Sequence, residues 1–165
     1  MLTLGLLAGV AEPVAAQADI GIGAVYNNDV VEGTWGIEGR LGYPVRTSGG
    51  EVLLMGAYDY LFPDCGAVAD CSFWEVRGDF LLLFDQNPPM VPYIGLGMVY
   101  SNFSAEGDII EDAGDDIGLD LIAGLGLPFW NFRRPYIDVR YSLMSDTGNT
   151  LSIGFGVVLS AGSRN

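Results

Sequence analysis

The feature that most constrains this chain is a two-residue alternation of apolar and polar side chains, which recurs in eight short segments. Successive side chains of a β-strand point to opposite faces, so this period indicates strands and not helices. Clusters of Gly, Asp, Asn, Ser and Pro separate the segments, as expected of turns. We predict strands near 19–27, 33–44, 51–62, 72–84, 91–103, 116–128, 135–144 and 150–160.

The two faces of these segments differ sharply in polarity. One face is apolar and carries no charge, and its aromatic residues favour the segment ends. The other mixes glycines with Glu38, Arg40, Glu51, Asp59, Glu75, Arg77, Asp79, Asp120, Asp138 and Arg140. A barrel in a membrane shows the apolar face to lipid, whereas a soluble barrel shows the charged face to water. Each segment has the length of about 9–11 residues, or slightly more, that a tilted membrane strand requires.

The positions of the glycines favour the membrane arrangement. Glycine weakens a solvated strand, but inside a narrow barrel it makes room for a charged side chain from the next strand. Tight connections at 128–135 and 144–150 would set glycines beside three charged residues: Gly124 and Gly154 beside Arg140, Gly126 and Gly156 beside Asp138, and Gly95 or Gly97 beside Asp79.

Arginine is the only basic residue of this chain, which contains neither lysine nor histidine. A water-facing sheet normally carries lysine, whereas the planar guanidinium suits enclosed ion pairs. We therefore predict a network of Arg–carboxylate pairs in the lumen. Its members are Glu38, Arg40, Glu75, Arg77, Asp79, Asp138 and Arg140. The alternative is a set of scattered surface charges, which would add little stability.

The first 18 residues are typical of a signal peptide. Residues 2–10 form an apolar core, Pro13 interrupts it, and Ala16 and Ala18 stand where a signal peptidase requires small residues. The basic residues that normally precede such a core are missing, as expected if the natural start lies upstream of Met1. We predict a cleaved signal peptide at 1–18, a barrel domain at 19–160 and a short tail at 161–165. A buried N-terminal strand or helix is the alternative.

Export to an oxidising compartment would allow Cys65 and Cys71 to form a disulfide. A ring this small adds about 2 kcal/mol of stability in the chain-entropy model. A metal-binding or catalytic thiol pair is the weaker alternative, because no histidine and no further cysteine accompany the two.

The connections divide by charge. Eleven acids and no arginine lie in or beside 28–32, 63–71, 104–115 and 145–149, whereas Arg46, Arg133, Arg134 and Arg164 lie on the other side. We expect the acidic connections to face outward and those at 45–50, 85–90 and 129–134 to face the periplasm. The acidic stretch at 106–116 lacks the spacing of a calcium loop, so a solvated loop is favoured over a Ca²⁺ or Mg²⁺ site. A net charge of -14 argues against nucleic-acid binding.

The last segment, TLSIGFGVVL, carries the most specific motif. Ser152, Gly154, Val157 and Leu159 match the signal that outer-membrane barrels present to the barrel-assembly machinery. Over Asp19 to Leu159 the chain resembles the OmpA/OmpX-like outer-membrane β-barrel superfamily. This resemblance implies an all-β, eight-stranded, antiparallel up-and-down transmembrane barrel in the bacterial outer membrane, with membrane lipids and the assembly machinery as partners. The chain departs from the pattern because it does not end on an aromatic residue and continues to Asn165.

A soluble lipocalin-like barrel is the rival fold. The tripeptide Gly33-Thr34-Trp35 fits the Gly-x-Trp of the first lipocalin strand, although here it lies in the second segment. The pattern of a C-terminal helix, which that family also carries, is missing.

The expected function follows from the size of the barrel. Eight strands enclose room for side chains or one small ligand, not for an aqueous channel. Outer-membrane lipid A deacylases, palmitoyl transferases and omptin-like proteases depend on histidine, which this chain lacks. We expect a non-enzymatic protein without cofactor, serving envelope integrity or an unidentified surface contact. The alternative is a small-ligand binding or transport barrel, either a porin-like membrane channel or a lipocalin-like carrier, with a pocket near Leu53, Met55, Tyr93 and Val99.

A barrel of this kind changes its electrophoretic mobility on heating. We expect the protein to be recovered in the outer-membrane fraction and to migrate differently in detergent gels before and after boiling. A protein found only in soluble fractions, with one mobility under both conditions, would contradict the membrane interpretation.

Overall fold

A computed structural model describes residues 18–28, 33–47, 50–65, 70–84, 90–106, 114–127, 133–146 and 148–160. Residues 1–17 of the predicted signal peptide and the predicted tail at 161–165 lie outside these ranges, and the segment boundaries stay predictions. In the described ranges no helix is long and apolar enough to cross a membrane.

The described residues form one closed antiparallel barrel in which each strand pairs with the next and β1 pairs with β8. The prediction of an eight-stranded up-and-down barrel is confirmed. The strands are β1 (Asp19–Asn27), β2 (Thr34–Thr47), β3 (Gly50–Leu61), β4 (Asp70–Leu83), β5 (Val91–Glu106), β6 (Gly114–Gly126), β7 (Arg133–Met144) and β8 (Thr150–Ser160).

Every strand bound differs from the predicted one by three residues or fewer. The extensions at the adjoining ends of β5 and β6 are rich in polar side chains, where Asn102 pairs with Asp115. Backbone ladder bonds do not require apolar side chains, so these strands continue past the point where the alternation ends. Because the number of strands is even, both ends of the barrel domain lie on one side. We call that side the terminal end and the opposite side the distal end.

The apolar face points outward, as predicted. Ile22 is 68% exposed and Leu96 is 63% exposed, and the one charged strand residue described as exposed on this face, Asp115, lies at its distal edge. Aromatic side chains group toward the distal end, where the Trp74 ring lies 5.5 Å from Tyr100 and 6.2 Å from Tyr58. A closed barrel with such an exterior is suited to a lipid bilayer, in which aromatic residues favour the interfaces.

The soluble lipocalin-like alternative is wrong. Its Gly-x-Trp tripeptide places Trp35 on the exterior, where the side chain is 55% exposed and contacts Phe155. A barrel whose apolar face points outward would expose large apolar patches to water, which soluble proteins avoid.

Two apolar clusters occupy the inside of the barrel near its two ends. The distal cluster consists of Val25, Leu61 and Phe73, with Phe103 packed against it. The terminal cluster consists of Met55, Leu81, Tyr93 and Ile122, with Leu53 and Leu83 packed against it. The charged residues of the lumen lie largely between these two clusters.

Cys65 and Cys71 form a disulfide, as predicted, with their Cα atoms 6.2 Å apart. Cys65 follows the end of β3 and Cys71 is the second residue of β4. The bond therefore joins these neighbouring strands at the distal end.

Because the apolar face of the strands points outward, we can predict how two matched substitutions on this face affect stability. Leu121 and Ile117 lie on the outer face of β6 and are 53% and 51% exposed, but Leu121 is central in the apolar band and Ile117 is near its distal edge. We expect Leu121→Arg to lower the free energy of unfolding by about 2–4 kcal/mol and Ile117→Arg by about 0–1 kcal/mol, because the cost of a cation depends on bilayer depth. Denaturant titrations in phospholipid vesicles measure both values. Equal, small effects would contradict the membrane phase.

Candidate functional site in the barrel lumen

All ten charged residues that the sequence places on the polar face point into the lumen. Each is at most 6% exposed. The even spacing of these residues along β2, β3, β4, β6 and β7 explains this, since residues two apart share a face of a strand. The members are Glu38, Arg40, Glu51, Asp59, Glu75, Arg77, Asp79, Asp120, Asp138 and Arg140.

Arg77 on β4 binds three carboxylates. Its Nε lies 3.0 Å from Asp59 Oδ2, its Nη1 lies 2.8 Å from Asp120 Oδ2, and its Nη2 pairs with Glu75. Asp120 is on β6, which is separated from β4 by β5. A single guanidinium thus joins three strands, which its planar set of five N–H donors allows and an ammonium group would not reproduce.

Arg140 on β7 extends the network. It pairs with Glu38 and lies 3.2 Å from Asp59 and 3.1 Å from Asp138. Since Asp59 also accepts from Arg77, this carboxylate links the two arginines. Arg40 on β2 completes the network by pairing with Glu38 and, at 2.7 Å, with Asp138. The ion pairs therefore run without a break across the lumen, from β4 and β6 to β2 and β7.

Two tyrosines that the sequence analysis did not include in the network are part of it. The Tyr93 hydroxyl donates to Asp138 at 2.8 Å and the Tyr136 hydroxyl donates to Glu38 at 2.5 Å. The Arg40 guanidinium carbon lies 3.8 Å from the centre of the Tyr136 ring, a cation–π contact. Both tyrosines stand at inward positions of the polar face, and that placement is the sequence signal that identifies them.

The predicted register around β7 is wrong by two residues. Asp138, and not Arg140, stands opposite Gly124 and Gly154, while Tyr136 stands opposite Gly126 and Gly156. The β6–β7 and β7–β8 hairpins each turn one residue earlier in the chain than predicted. Because the two strands of a hairpin pair symmetrically about the centre of the turn, this shift changes each cross-strand partner by two residues.

The role assigned to the glycines still holds. A Cβ atom at Gly154 would lie 2.7 Å from Asp138 Oδ1, 2.9 Å from Arg140 Nη2 and 3.0 Å from Arg40 Nη2. Gly97 stands opposite Asp79, as one of the two predicted options had it, and a Cβ atom there would collide with the carboxylate. A side chain at either position would displace the charged groups that now fill the space.

Asp79 is the one member of the predicted network that forms no ion pair within the described residues. Neither of its carboxylate oxygens has a hydrogen-bond partner there, although the residue is only 3% exposed. The structure thus brings six of the seven predicted residues together and adds Asp59 and Asp120.

A cavity of about 180 Å³ lies on the terminal side of the network. Arg40, Tyr93 and Tyr136 line its inner end, and Asp19, Glu51 and Arg134 line it near the terminal ends of their strands. Its walls are mostly apolar and include Leu53, Met55, Leu81, Leu83, Val91 and Val158. Three of the four residues predicted to surround a pocket line it; Val99 does not.

The proposed assembly signal lies on β8. Ser152 and Gly154 face the lumen and are buried, whereas Leu159 is 47% exposed on the exterior and Val157 is half-buried. Recognition of these residues by the assembly machinery stays a prediction. The acidic stretch predicted to be a solvated loop lies mostly outside the described residues, and among those described no group of three or more acidic or cysteine side chains is placed to hold a metal ion.

Comparison with solved structures identifies the class of this fold. Neisserial surface protein A superposes with a TM-score of 0.65 at 13% identity, covering 88% of this chain and 96% of that one. Ail, the attachment invasion locus protein of Yersinia pestis, gives 0.63 at 13% identity over 88% and 97%. The N-terminal β-barrel domain of Pseudomonas aeruginosa OprF gives 0.60 at 19% identity over 88% and 98%. No family model and no curated sequence matches the chain.

The fold is therefore that of the eight-stranded outer-membrane β-barrels. It agrees with the predicted resemblance to OmpA/OmpX-like proteins and with a location in the bacterial outer membrane. At these identities the likeness is one of fold, and it assigns no activity.

The network predicts a large effect of removing Arg77. We expect Arg77→Met to lower the free energy of unfolding by about 3–5 kcal/mol, because three buried carboxylates would lose their common partner. Arg77→Lys, which keeps the charge but not the fork of donors, should lose less. Urea titrations of the protein in lipid vesicles measure both values. A loss below about 1 kcal/mol for Arg77→Met, well under the expected range, would show that the ion pairs are dispensable.

Proposed function

We propose that this chain is a non-enzymatic, non-conducting protein of the outer membrane that supports envelope integrity or makes contacts through its acidic distal end. The observation that carries the proposal is the continuous ion-pair network across the lumen. Three arginines link five carboxylates from five strands, and we expect these ion pairs to block the passage of ions between the side chains.

The distal cluster supports a closed lumen. Val25 and Leu61 are fully buried, and Phe73 and Phe103 pack with ring centres 6.4 Å apart. This cluster narrows the distal part of the lumen with side chains that solvate an ion poorly. Size adds to the effect, because eight strands leave little space beyond that of their own side chains.

The pairing of the network residues argues against a catalytic role for these carboxylates. Acid–base catalysis needs a group free to exchange a proton with a substrate. The carboxylates of the network instead accept hydrogen bonds from arginines and tyrosines, and the sequence contains no histidine. A structural role for these ion pairs accounts for their arrangement.

The distal end is acidic where it is described. Asp64, Asp115 and Asp146 are exposed there, and Asp116 accepts hydrogen bonds from the backbone and hydroxyl of Ser145. A surface partner would therefore carry positive charge. One solved structure of Ail contains the heparin analogue sucrose octasulfate. We do not extend that ligand to this chain, because its distal carboxylates would repel a polyanion.

Conductance in planar lipid bilayers tests the proposal. The natural chain should show no steady current, whereas Arg140→Gly should open a cation-selective path, since it removes the link between the two halves of the network and leaves the carboxylates in place. The matched control is Val139→Gly on the outer face of the same strand, which should stay closed. A steady current through the natural chain would contradict the proposal.

The same variants extend the test to cells. A strain that lacks the chain should be more sensitive to detergents, and the natural chain and Val139→Gly should restore resistance. Arg140→Gly at equal abundance should not restore it. Unchanged sensitivity on deletion would argue for surface contact as the role.

A further inference from the structure

Side chains of the described residues do not fill the terminal part of the lumen. The cavity there, about 180 Å³ in volume, ends at the network on one side and reaches the terminal ends of the strands on the other. The apolar walls of this cavity lack the contacts that a filled core would have. A bound apolar molecule would supply these contacts.

From this geometry we propose that the cavity is a binding site for a small, neutral, apolar molecule about the size of a single substituted aromatic ring. The volume fits, because a dry apolar cavity of about 150 Å³ already admits benzene. The walls supply the contacts: Leu53, Met55, Leu81 and Leu83 surround the space, and the rings of Tyr93 and Tyr136 lie at its inner end.

The polar groups at the inner end select a neutral ligand. The hydroxyls of Tyr93 and Tyr136 already donate to Asp138 and Glu38, and Arg40 is paired with the same two carboxylates. An anion would enter a lumen in which carboxyl groups outnumber guanidiniums, and a cation would approach the positive charge of Arg40. A neutral apolar ligand faces neither cost.

One glycine in the cavity wall can be replaced by a larger residue whose side chain would fill the cavity. A Cβ atom at Gly126 would have only ordinary contacts, at 3.8 and 3.9 Å from atoms of Val91, and the position lines the cavity. Gly126→Leu should therefore fold and occupy the space. Gly78→Leu is its matched control, because Gly78 lies on the outer face of β4 and nothing lies within 4 Å of its Cβ position.

Methionine methyl NMR tests the proposal with toluene as the probe. The full chain, labelled with ¹³C-methyl methionine and refolded into phospholipid nanodiscs, contains both a reporter and an internal control. Met55 lines the cavity, whereas Met98 is 56% exposed on the exterior. We expect the Met55 methyl shift to saturate with toluene concentration and the Met98 shift to drift in proportion to toluene dissolved in the lipid.

Gly126→Leu should abolish the saturable Met55 shift, and Gly78→Leu should retain it. A Met55 response that never saturates would overturn the proposal, as would saturation that persists in Gly126→Leu. Saturable binding of benzoate without binding of toluene would overturn the neutral selectivity. The outcome is independent of the proposed non-conducting role, since conductance reports on the network and these shifts report on the cavity beside it.

Discussion

The neutralisation of buried carboxylates by three arginines is the interaction on which the rest of this barrel depends. Lipid surrounds the strands, so any charged residue within them must point inward, where water is scarce and an isolated charge is costly. Arg40, Arg77 and Arg140 meet this requirement because each guanidinium bridges carboxylates from different strands. The network thus joins strands that are not neighbours in the barrel, which backbone ladders do not do.

This network divides the lumen into three layers with different properties. The distal layer combines an apolar cluster around Leu61 and Phe73 with buried polar side chains such as Asn27 and Ser101. The middle layer carries the ion pairs, and the terminal layer contains a cavity with mostly apolar walls. The cavity ends at the network, so the proposed non-conducting role and the proposed ligand site concern different layers of the lumen.

The fold could be predicted from the sequence because period two is unambiguous when it repeats eight times with the same phase. The inward direction of Arg77 and Asp120 follows from that phase alone. The register around β7 was predicted less well, because it depends on where each hairpin turns. A difference of one residue in the turn places Asp138 opposite Gly154, where Arg140 was predicted. Nor does strand pattern reveal contacts between strands that are not neighbours, such as that between Arg77 and Asp120.

The glycines of the lumen show why the cavity is distinct from the rest of the interior. At Gly97, Gly124 and Gly154 the space left by the missing side chain is taken by Asp79, by Tyr93 and Asp138, and by the network itself. The missing side chains at these glycines therefore leave room for larger side chains from neighbouring strands. At Gly126 no side chain of another strand enters the space closely, and the position borders the void. If fitting the network were the only demand on this lumen, a larger residue at 126 would pack the terminal layer and stabilise the barrel. The space beside Gly126 is thus the feature of the interior that strand pairing and charge neutralisation do not explain, and the proposed apolar ligand would occupy it.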